Sequence, residues 1–164
     1  MSEDTKLQLR RVTVFTDGSA IGNPGPGGYG VVLKYAKHRK ELSSGFRLTT
    51  NNRMELLGAI VALESLTERC RITLHSDSKY VIDGIRRGWA KKWKAAGWMR
   101  NPKEPAINVD LWEKMLALCD KHEVGFRWVK GHSGVVENER CDELAVTAAR
   151  GVGLLIDHGY EQRS

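Results

Sequence analysis

The segment RVTVFTDGSAIGNPGPGGYGVVLKY, residues 11–35, determines which fold the chain can form. Its two ends are rich in β-branched and aromatic residues, which predicts strands over Arg11–Thr16 and Tyr29–Tyr35. The stretch between them, Asp17–Gly28, is rich in glycine and proline and predicts a turn. Because no helix separates the two strands, they are expected to pair as an antiparallel hairpin.

The remaining strands are predicted over Glu41–Phe46, Arg71–Ser76 and Val124–Val129. Helices are predicted over Met54–Leu66 (after cap-type side chains at residues 49–52), Lys79–Arg87, Trp89–Gly97, Val109–His122 and Glu137–Arg150. This order predicts an α/β fold with a mixed five-stranded sheet, antiparallel over its first three strands, joined by parallel crossovers afterwards and flanked by helices. One domain is expected over residues 1–150, followed by a C-terminal tail of uncertain order at 151–164.

Bulk composition narrows the classes of protein to consider. The chain has 164 residues, a net charge of +6 and no apolar run long enough to span a membrane, so a cytoplasmic protein without a membrane partner is expected. Its three scattered cysteines predict buried thiols rather than disulfides or a zinc site. Nothing marks an oligomer interface, and a monomer is the expectation.

Two aspartates follow predicted strands at matching positions. Asp17 comes after Thr13 and Phe15 on the first strand, and Asp77 comes after Thr73 and His75 on the fourth. If these strands are adjacent and parallel, both carboxylates emerge at the carboxyl ends where open α/β sheets bind ligands. The alternative is that each aspartate stabilises a turn or caps a helix, since aspartate is common at both positions.

Two more acids lie in line with stripes of small apolar residues on predicted helices. Glu55 is followed at helical spacing by Ala59 and Ala62, and Asp142 by Ala145, Val146 and Ala149. Such stripes indicate that both carboxylates face the protein rather than water. A favourable interaction with the helix dipole is the competing explanation, but it does not account for the stripes.

Four carboxylates directed at one place would repel one another strongly in a partly desolvated pocket, so they require cations. Ligand sets made only of oxygen suit Mg²⁺ or Mn²⁺ rather than zinc. Two such ions ~4 Å apart would activate a water and stabilise the leaving oxygen of a phosphodiester. The residues therefore predict metal-assisted hydrolysis, with Mg²⁺ as cofactor, Mn²⁺ as the alternative, and one or two ions per site.

His132 lies between Gly131 and Gly134, ten residues before Asp142. Most histidines in such loops are plain surface residues, but flanking glycines would let this one reach the carboxylates and move a proton. A second glycine pattern, G-x-G-x-x-G at Gly25–Gly30, matches the dinucleotide fingerprint. A strand rather than a helix is predicted to follow it, which argues against dinucleotide binding.

The positive charge is concentrated in one segment. Seven lysines and arginines and no acid lie between Gly84 and Lys103, interleaved with Trp89, Trp93 and Trp98. Packing of a small helical projection explains at least one tryptophan. The lysines predict an arm that lies along a phosphate backbone, and both interpretations can hold together.

These features together resemble the bacterial type 1 ribonuclease H family. The matching segments are TDGSAIGNPGPGGYG (16–30), TTNNRMELLGAIVAL (49–63), SDSKYV (76–81), WVKGHSG (128–134) and ENERCDELA (137–145). The resemblance implies a ribonuclease H-like fold and an endonuclease that hydrolyses the RNA strand of RNA–DNA hybrids, leaving 5′-phosphate and 3′-hydroxyl ends. It also implies that Asp17, Glu55, Asp77 and Asp142 bind the metal and that His132 assists.

The resemblance extends to residues that would contact the hybrid. Asn23, Asn51 and Asn52 match positions that read the minor groove, where the 2′-hydroxyl distinguishes RNA from DNA. Thr50 resembles a residue that holds a DNA-strand phosphate, Trp89 resembles an aromatic of the DNA channel, and residues 86–103 resemble the basic protrusion that carries Lys91, Lys92 and Lys94. Two positions depart from the pattern: Ala20 replaces a frequent cysteine, and Lys79, a further expected substrate contact, stands where an amide is common.

Two other functions fit parts of the pattern. One is a catalytically silent module that binds hybrids, which the complete set of acids argues against. The other is a broader polynucleotidyl transferase relative, such as a Holliday-junction resolvase or an integrase core. The Asn51 and Asn52 pair and the basic segment favour the hybrid nuclease.

Overall fold

A computed structural model of the chain describes residues 8–162. Within that range the chain forms five strands and six helices. In chain order these are β1 (Arg10–Ala20), β2 (Gly25–Tyr35), β3 (His38–Thr49), α1 (Asn51–Glu64), β4 (Cys70–Ser76), α2 (Lys79–Arg86), α3 (Trp89–Ala95), α4 (Val109–Lys121), β5 (Glu123–Trp128), α5 (Val136–Ala149) and α6 (His158–Glu161).

The strands form one sheet in the order β3-β2-β1-β4-β5. The pairs β1–β2 and β2–β3 are antiparallel, whereas β1–β4 and β4–β5 are parallel. This confirms the predicted mixed sheet. The short connections between the first three strands allow only hairpins, and the helical crossovers that follow allow parallel pairing.

The first hairpin is longer than predicted, and the turn predicted over Asp17–Gly28 is wrong in its extent. Pairing continues from Asp17 opposite Gly30 to Ala20 opposite Gly27, so Asp17 lies within β1 and not beyond it. Glycines can also adopt an extended backbone and pair in a sheet, which composition alone does not reveal. The G-x-G-x-x-G pattern consequently lies inside β2, and no helix follows it before Tyr35.

The other predicted elements agree with the structure to within three residues at each end. The helix predicted to begin at Met54 begins at Asn51, because Thr50 caps it: the Thr50 side chain accepts a hydrogen bond from the Arg53 backbone N–H. Trp93 packs edge-on against the buried Trp112, as expected for a helical projection that covers the core.

Helices α1 and α5 lie on opposite faces of the sheet, and both approach it through glycines. A Cβ atom at Gly18 in β1 would overlap the backbone of Met54 in α1, and one at Gly30 in β2 would overlap the backbone carbonyl of Cys141 in α5. The absence of side chains lets helix backbone contact strand backbone directly. The helix residues that follow these contacts in sequence are Glu55 and Asp142.

The segment after Arg150 is predicted as a tail of uncertain order. In the structure, which describes it up to residue 162, this segment packs against the rest of the fold. The Leu155 backbone N–H donates to the Gly45 carbonyl, and the Arg47 N–H donates to the Leu155 carbonyl, both at 2.9 Å. Arg53, only 3% exposed, makes ion pairs with Asp157 at 2.8 Å and Asp110 at 2.7 Å. A buried guanidinium needs such partners, so the tail completes the fold around α1.

The prediction of buried thiols is confirmed for two of the three cysteines. Cys70 and Cys141 are buried and Cys119 is partly buried, and all three are free thiols. None of the helices within residues 8–162 has the length and apolar character needed to cross a membrane.

We predict that Gly30→Ala lowers the free energy of unfolding by ~1–3 kcal/mol, because the added methyl group must displace the backbone of α5. Gly125→Ala is the matched control: Gly125 lies in β5, and the nearest atom to its added Cβ is 3.9 Å away. Urea unfolding of both variants makes the comparison. Equal stability of the two would contradict the close approach of α5 to β2.

Candidate active site

Three carboxylates converge beside the parallel strands β1 and β4, near the point where the pairing of these two strands ends. Asp17 lies in β1 and is 6% exposed, Asp77 directly follows β4, and Glu55 lies in α1. One oxygen of each lies within 4.8 Å of the others. The strands pair in parallel up to Phe15 opposite His75, so Asp17 and Asp77 each follow two residues later on the same side of the sheet.

Glu55 faces the sheet, as its apolar stripe predicted. Ala59 and Ala62 are fully buried below it. Its Oε2 atom is buried and has no hydrogen-bond partner among the described residues. Burial, and then the charges of Asp17 and Asp77, raise the pKa of Glu55 well above its ordinary value.

Burial and neighbouring negative charges also raise the pKa of the two aspartates. Burial is the largest cause that raises the pKa of Asp17 to about 8, followed by the charge of Asp77, and Asp142 adds to it. A hydrogen bond of 2.9 Å from the Gly18 N–H to Asp17 Oδ1 opposes the shift. The pKa of Asp77 is also raised, chiefly by burial and further by Asp142, while the nearby His132 lowers it. The three carboxyl groups therefore bind protons more tightly than isolated carboxyl groups do.

The fourth predicted acid, Asp142, lies beside this group without joining it. Its charge raises the pKa of both Asp17 and Asp77, which places it close to them, but it is not one of the three residues whose oxygens lie within 4.8 Å. Asp142 and His132 line one cavity at the start of α5. His132 is exposed and has a left-handed backbone with φ 55°, between Gly131 and Gly134.

The donor set fits a hard divalent cation. All three converging ligands are carboxylate oxygens, one of them a buried atom with no other partner in the described part of the chain. Mg²⁺ and Mn²⁺ prefer such oxygens, whereas zinc sites are usually built from histidine and cysteine. A cation here would also remove the repulsion that raises the three pKa values.

The predicted hybrid-reading residues border one groove next to α1. Asn23, Thr50, Asn51 and Asn52 line it together with residues 105–110, which lead into α4, and with residues of the C-terminal segment. Two of the asparagines also hold the loops in place: Asn51 Oδ1 accepts from the Ala20 N–H at 2.6 Å, and Asn23 Oδ1 accepts from the Asn51 N–H at 3.0 Å. Their amide NH₂ groups remain as donors for a ligand.

The predicted basic arm is helix α3 and the loop after it. Lys91, Lys92 and Lys94 are exposed, and within residues 8–162 none has a carboxylate within the 4.0 Å of an ion pair. Trp89 is 37% exposed and borders an open apolar cavity with Lys92 and Trp93. The arm therefore presents unpaired positive charge beside aromatic surface.

Trp128 is a residue at this site that the sequence analysis did not single out. It ends β5 opposite Ser76, and its indole Nε1–H donates to the Asp77 backbone carbonyl at 3.1 Å. The Lys79 ammonium lies 5.1 Å from its ring centroid. The sequence shows only that this tryptophan lies two residues before the KGHSG loop. Its position beside Asp77 becomes evident once β5 is paired with β4.

Comparisons with known proteins agree with this geometry. The family described as RNase H matches residues 9–150. The ribonuclease H of Desulforamulus reducens is 60% identical over 157 residues, covering 96% of this chain and 99% of the relative. The ribonuclease HI of Synechocystis is 57% identical over 150 residues, covering 91% of this chain and 94% of the relative.

Solved structures share the fold. LC9-RNase H1, described as a type 1 RNase H with the type 2 active-site motif, aligns with a TM-score of 0.78 at 38% identity, covering 94% of this chain and 80% of that one. LC11-RNase H1, solved in complex with an RNA/DNA hybrid, aligns with a TM-score of 0.63 at 23% identity, covering 84% of this chain and 96% of that one.

A mixed five-stranded sheet on which carboxylates from β1, from the end of β4 and from α1 converge defines a ribonuclease H-like nuclease. The match to the RNase H family and the 60% identity to a bacterial ribonuclease H over nearly the whole chain identify the family within this class. The chain belongs to the bacterial type 1 ribonuclease H family.

We predict that, without divalent cations, the free energy of unfolding falls as the pH rises from about 4 to about 8. The unfolded chain releases the Asp17 proton near the ordinary pKa of 3.8, whereas the folded protein keeps it until about pH 8. The folded state binds more protons across this window, so stability is lost as the pH approaches 8. Asp17→Asn should flatten the dependence and raise the Tm at pH 8 by about 3 °C or more.

Thermal unfolding in EDTA over this pH range measures the effect. Asp120→Asn removes an exposed carboxylate in α4 and is the matched control. It should retain the slope of the parent protein. A parent protein whose stability rises steadily over the same range would contradict the buried-carboxylate account.

Proposed function

We propose that the protein is an endonuclease that hydrolyses the RNA strand of RNA–DNA hybrids, with Asp17, Glu55, Asp77 and Asp142 as its metal-binding carboxylates. The observation that carries this is the convergence of three carboxylate oxygens within 4.8 Å in a chain 60% identical to a ribonuclease H. Asp142, whose charge acts on two of them, completes the set.

Mg²⁺ is the cation that we propose, with Mn²⁺ as the alternative, at one or two ions per site. Asp17, Glu55 and Asp77 would hold it, with Asp142 at the edge of the group. When bound, divalent cations supply Lewis-acid chemistry that lowers the pKa of water and stabilises charge on phosphate oxygens. The absence of nitrogen or sulfur ligands in the group supports this choice over zinc.

The remaining steps depend on groups of the chain itself. The hydrolysis joins a water oxygen to phosphorus and breaks the bond to the 3′-oxygen, giving 5′-phosphate and 3′-hydroxyl ends. Asp17 is buried and Glu55 is half-buried, so the carboxylates that would hold the cation lie partly away from bulk water. His132 borders the same cavity as Asp142, so its imidazole is placed to hold or move a proton beside the carboxylates.

Hybrid recognition would use the two surfaces on either side of the site. The groove of Asn23, Thr50, Asn51 and Asn52 would contact the minor groove, where the RNA 2′-hydroxyls lie, and a DNA-strand phosphate. Trp89, Lys91, Lys92 and Lys94 would contact the DNA strand along its phosphates. These contacts, the monomeric state, the cytoplasmic location and the division at residue 150 remain predictions.

We predict that the protein cuts the RNA of a labelled RNA–DNA hybrid with Mg²⁺, that EDTA abolishes cleavage, and that Asp17→Asn lowers kcat by at least ~100-fold. That loss is the upper end of what changes to residues supporting a metal ligand cause. Asp17→Asn should still bind the hybrid, because the amide keeps the shape of the carboxyl and removes a charge that repels phosphates.

Single-stranded RNA, duplex RNA and duplex DNA are the control substrates, and Asp120→Asn is the control variant. Binding of the hybrid without cleavage by the parent protein would support the silent module instead. Equal cleavage of duplex DNA would contradict specificity for the hybrid. Full activity in EDTA would contradict the metal site.

A further inference from the structure

Trp128 joins two features at the carboxyl edge of β4 and β5. Its Nε1–H donates to the Asp77 carbonyl at 3.1 Å, and the face of its ring lies 5.1 Å from the Lys79 ammonium. The ring is 43% exposed, so burial in a core does not explain its position. One side chain thus connects the backbone of a carboxylate residue to a surface cation.

The surface around Trp128 carries positive charge that the described residues do not neutralise. Arg86 and Arg127 line a cavity with Trp128. In residues 8–162, neither arginine nor Lys79 has a carboxylate within 4.0 Å, although other arginines such as Arg71, at 2.9 Å from Glu123, are paired. A cluster of unpaired cations beside a carboxylate site is suited to a polyanion that lies across both.

Lys79 is close enough to Asp77 to act on the same strand. Two peptide units separate them, so their Cα atoms are at most about 7.6 Å apart. A strand whose phosphate lies at Asp77 must carry its neighbouring phosphates along the adjacent surface. Cation–π pairs occur on many protein surfaces, and this one alone would indicate nothing. This pair is informative because the same indole also donates a hydrogen bond to the Asp77 carbonyl.

We propose that Lys79 contacts a phosphate of the strand that is cut, next to the phosphate at the carboxylates, and that Trp128 is a positioning residue for both Lys79 and Asp77. The proposal rests on the proposed function. The amide common at position 79 in the family would offer a neutral hydrogen bond. An ammonium held over an aromatic ring offers a fixed charge instead, and such contacts do not depend on base sequence.

The phosphate contact is tested by binding of an RNA–DNA hybrid to the Asp17→Asn protein at several salt concentrations. Adding Lys79→Gln should weaken binding and reduce the slope of log K against log salt by about one, the value for one lost phosphate contact. Lys37→Gln makes the same change of charge in the turn between β2 and β3, at the opposite end of the sheet, and should leave the slope as it was. Equal slopes for the two variants would overturn the contact.

The positioning role is tested with the metal alone. Trp128→Phe keeps an aromatic face for Lys79 but removes the N–H that holds the Asp77 carbonyl. It should lower the Mn²⁺ affinity of the otherwise unchanged protein by ~10-fold, the loss typical of groups that orient metal ligands, while the salt slope of hybrid binding stays near that of the parent. Trp128→Leu should lose both properties, and circular dichroism verifies that it folds.

The outcomes separate this inference from the proposed function. Parent Mn²⁺ affinity in Trp128→Phe would overturn the positioning role, even if the parent protein cuts hybrids normally. A parent protein that neither binds nor cuts a hybrid would overturn the proposed function and this inference together. The inference is supported if the salt slope falls only in Lys79→Gln and Trp128→Leu. It also requires that Mn²⁺ affinity falls only in the two Trp128 variants.

Discussion

The close contact between helix backbone and strand backbone determines where the carboxylates of the candidate active site lie. Gly18 lets the start of α1 lie against β1, and Gly30 lets α5 lie against β2. Glu55 follows the first contact in sequence and Asp142 follows the second, so both acids reach Asp17 from opposite faces of the sheet. Any side chain at either glycine would separate a helix from the sheet and a carboxylate from the site.

The fold therefore stabilises an arrangement of charge that is unfavourable on its own. Burial and repulsion by neighbouring carboxylates, including Asp142, raise the pKa of Asp17, Glu55 and Asp77. The buried core, which includes Trp112, Met54 and Leu74, must offset that cost. A divalent cation relieves it, so the same repulsion that destabilises the metal-free protein favours metal binding. Unpaired cations on α3 and around Trp128 lie outside this negative group, where the remaining phosphates of a nucleic acid would lie.

The sequence predicted the parts of the site that follow from periodicity. Matching positions on two strands predicted that Asp17 and Asp77 are neighbours, and an apolar helix stripe predicted that Glu55 faces inward. Features that depend on tertiary contact were not predicted. Composition favours a turn over the end of β1 and the glycine-rich start of β2, because nothing local shows that extended glycines will pair. The role of the C-terminal segment depends on an ion pair between Arg53 and Asp157, residues far apart in the chain. Trp128 becomes meaningful only once β5 lies beside β4.

The most direct test of this account is a titration of the metal-free protein with Mg²⁺, followed by the side-chain carboxyl ¹³C resonances. The account predicts that the resonances of Asp17, Glu55 and Asp77 all shift as Mg²⁺ binds, while those of the exposed Asp120 and Glu113 do not. No shift in any of the three carboxyls at saturating Mg²⁺, or shifts as large in Asp120 and Glu113, would contradict a single metal-binding group.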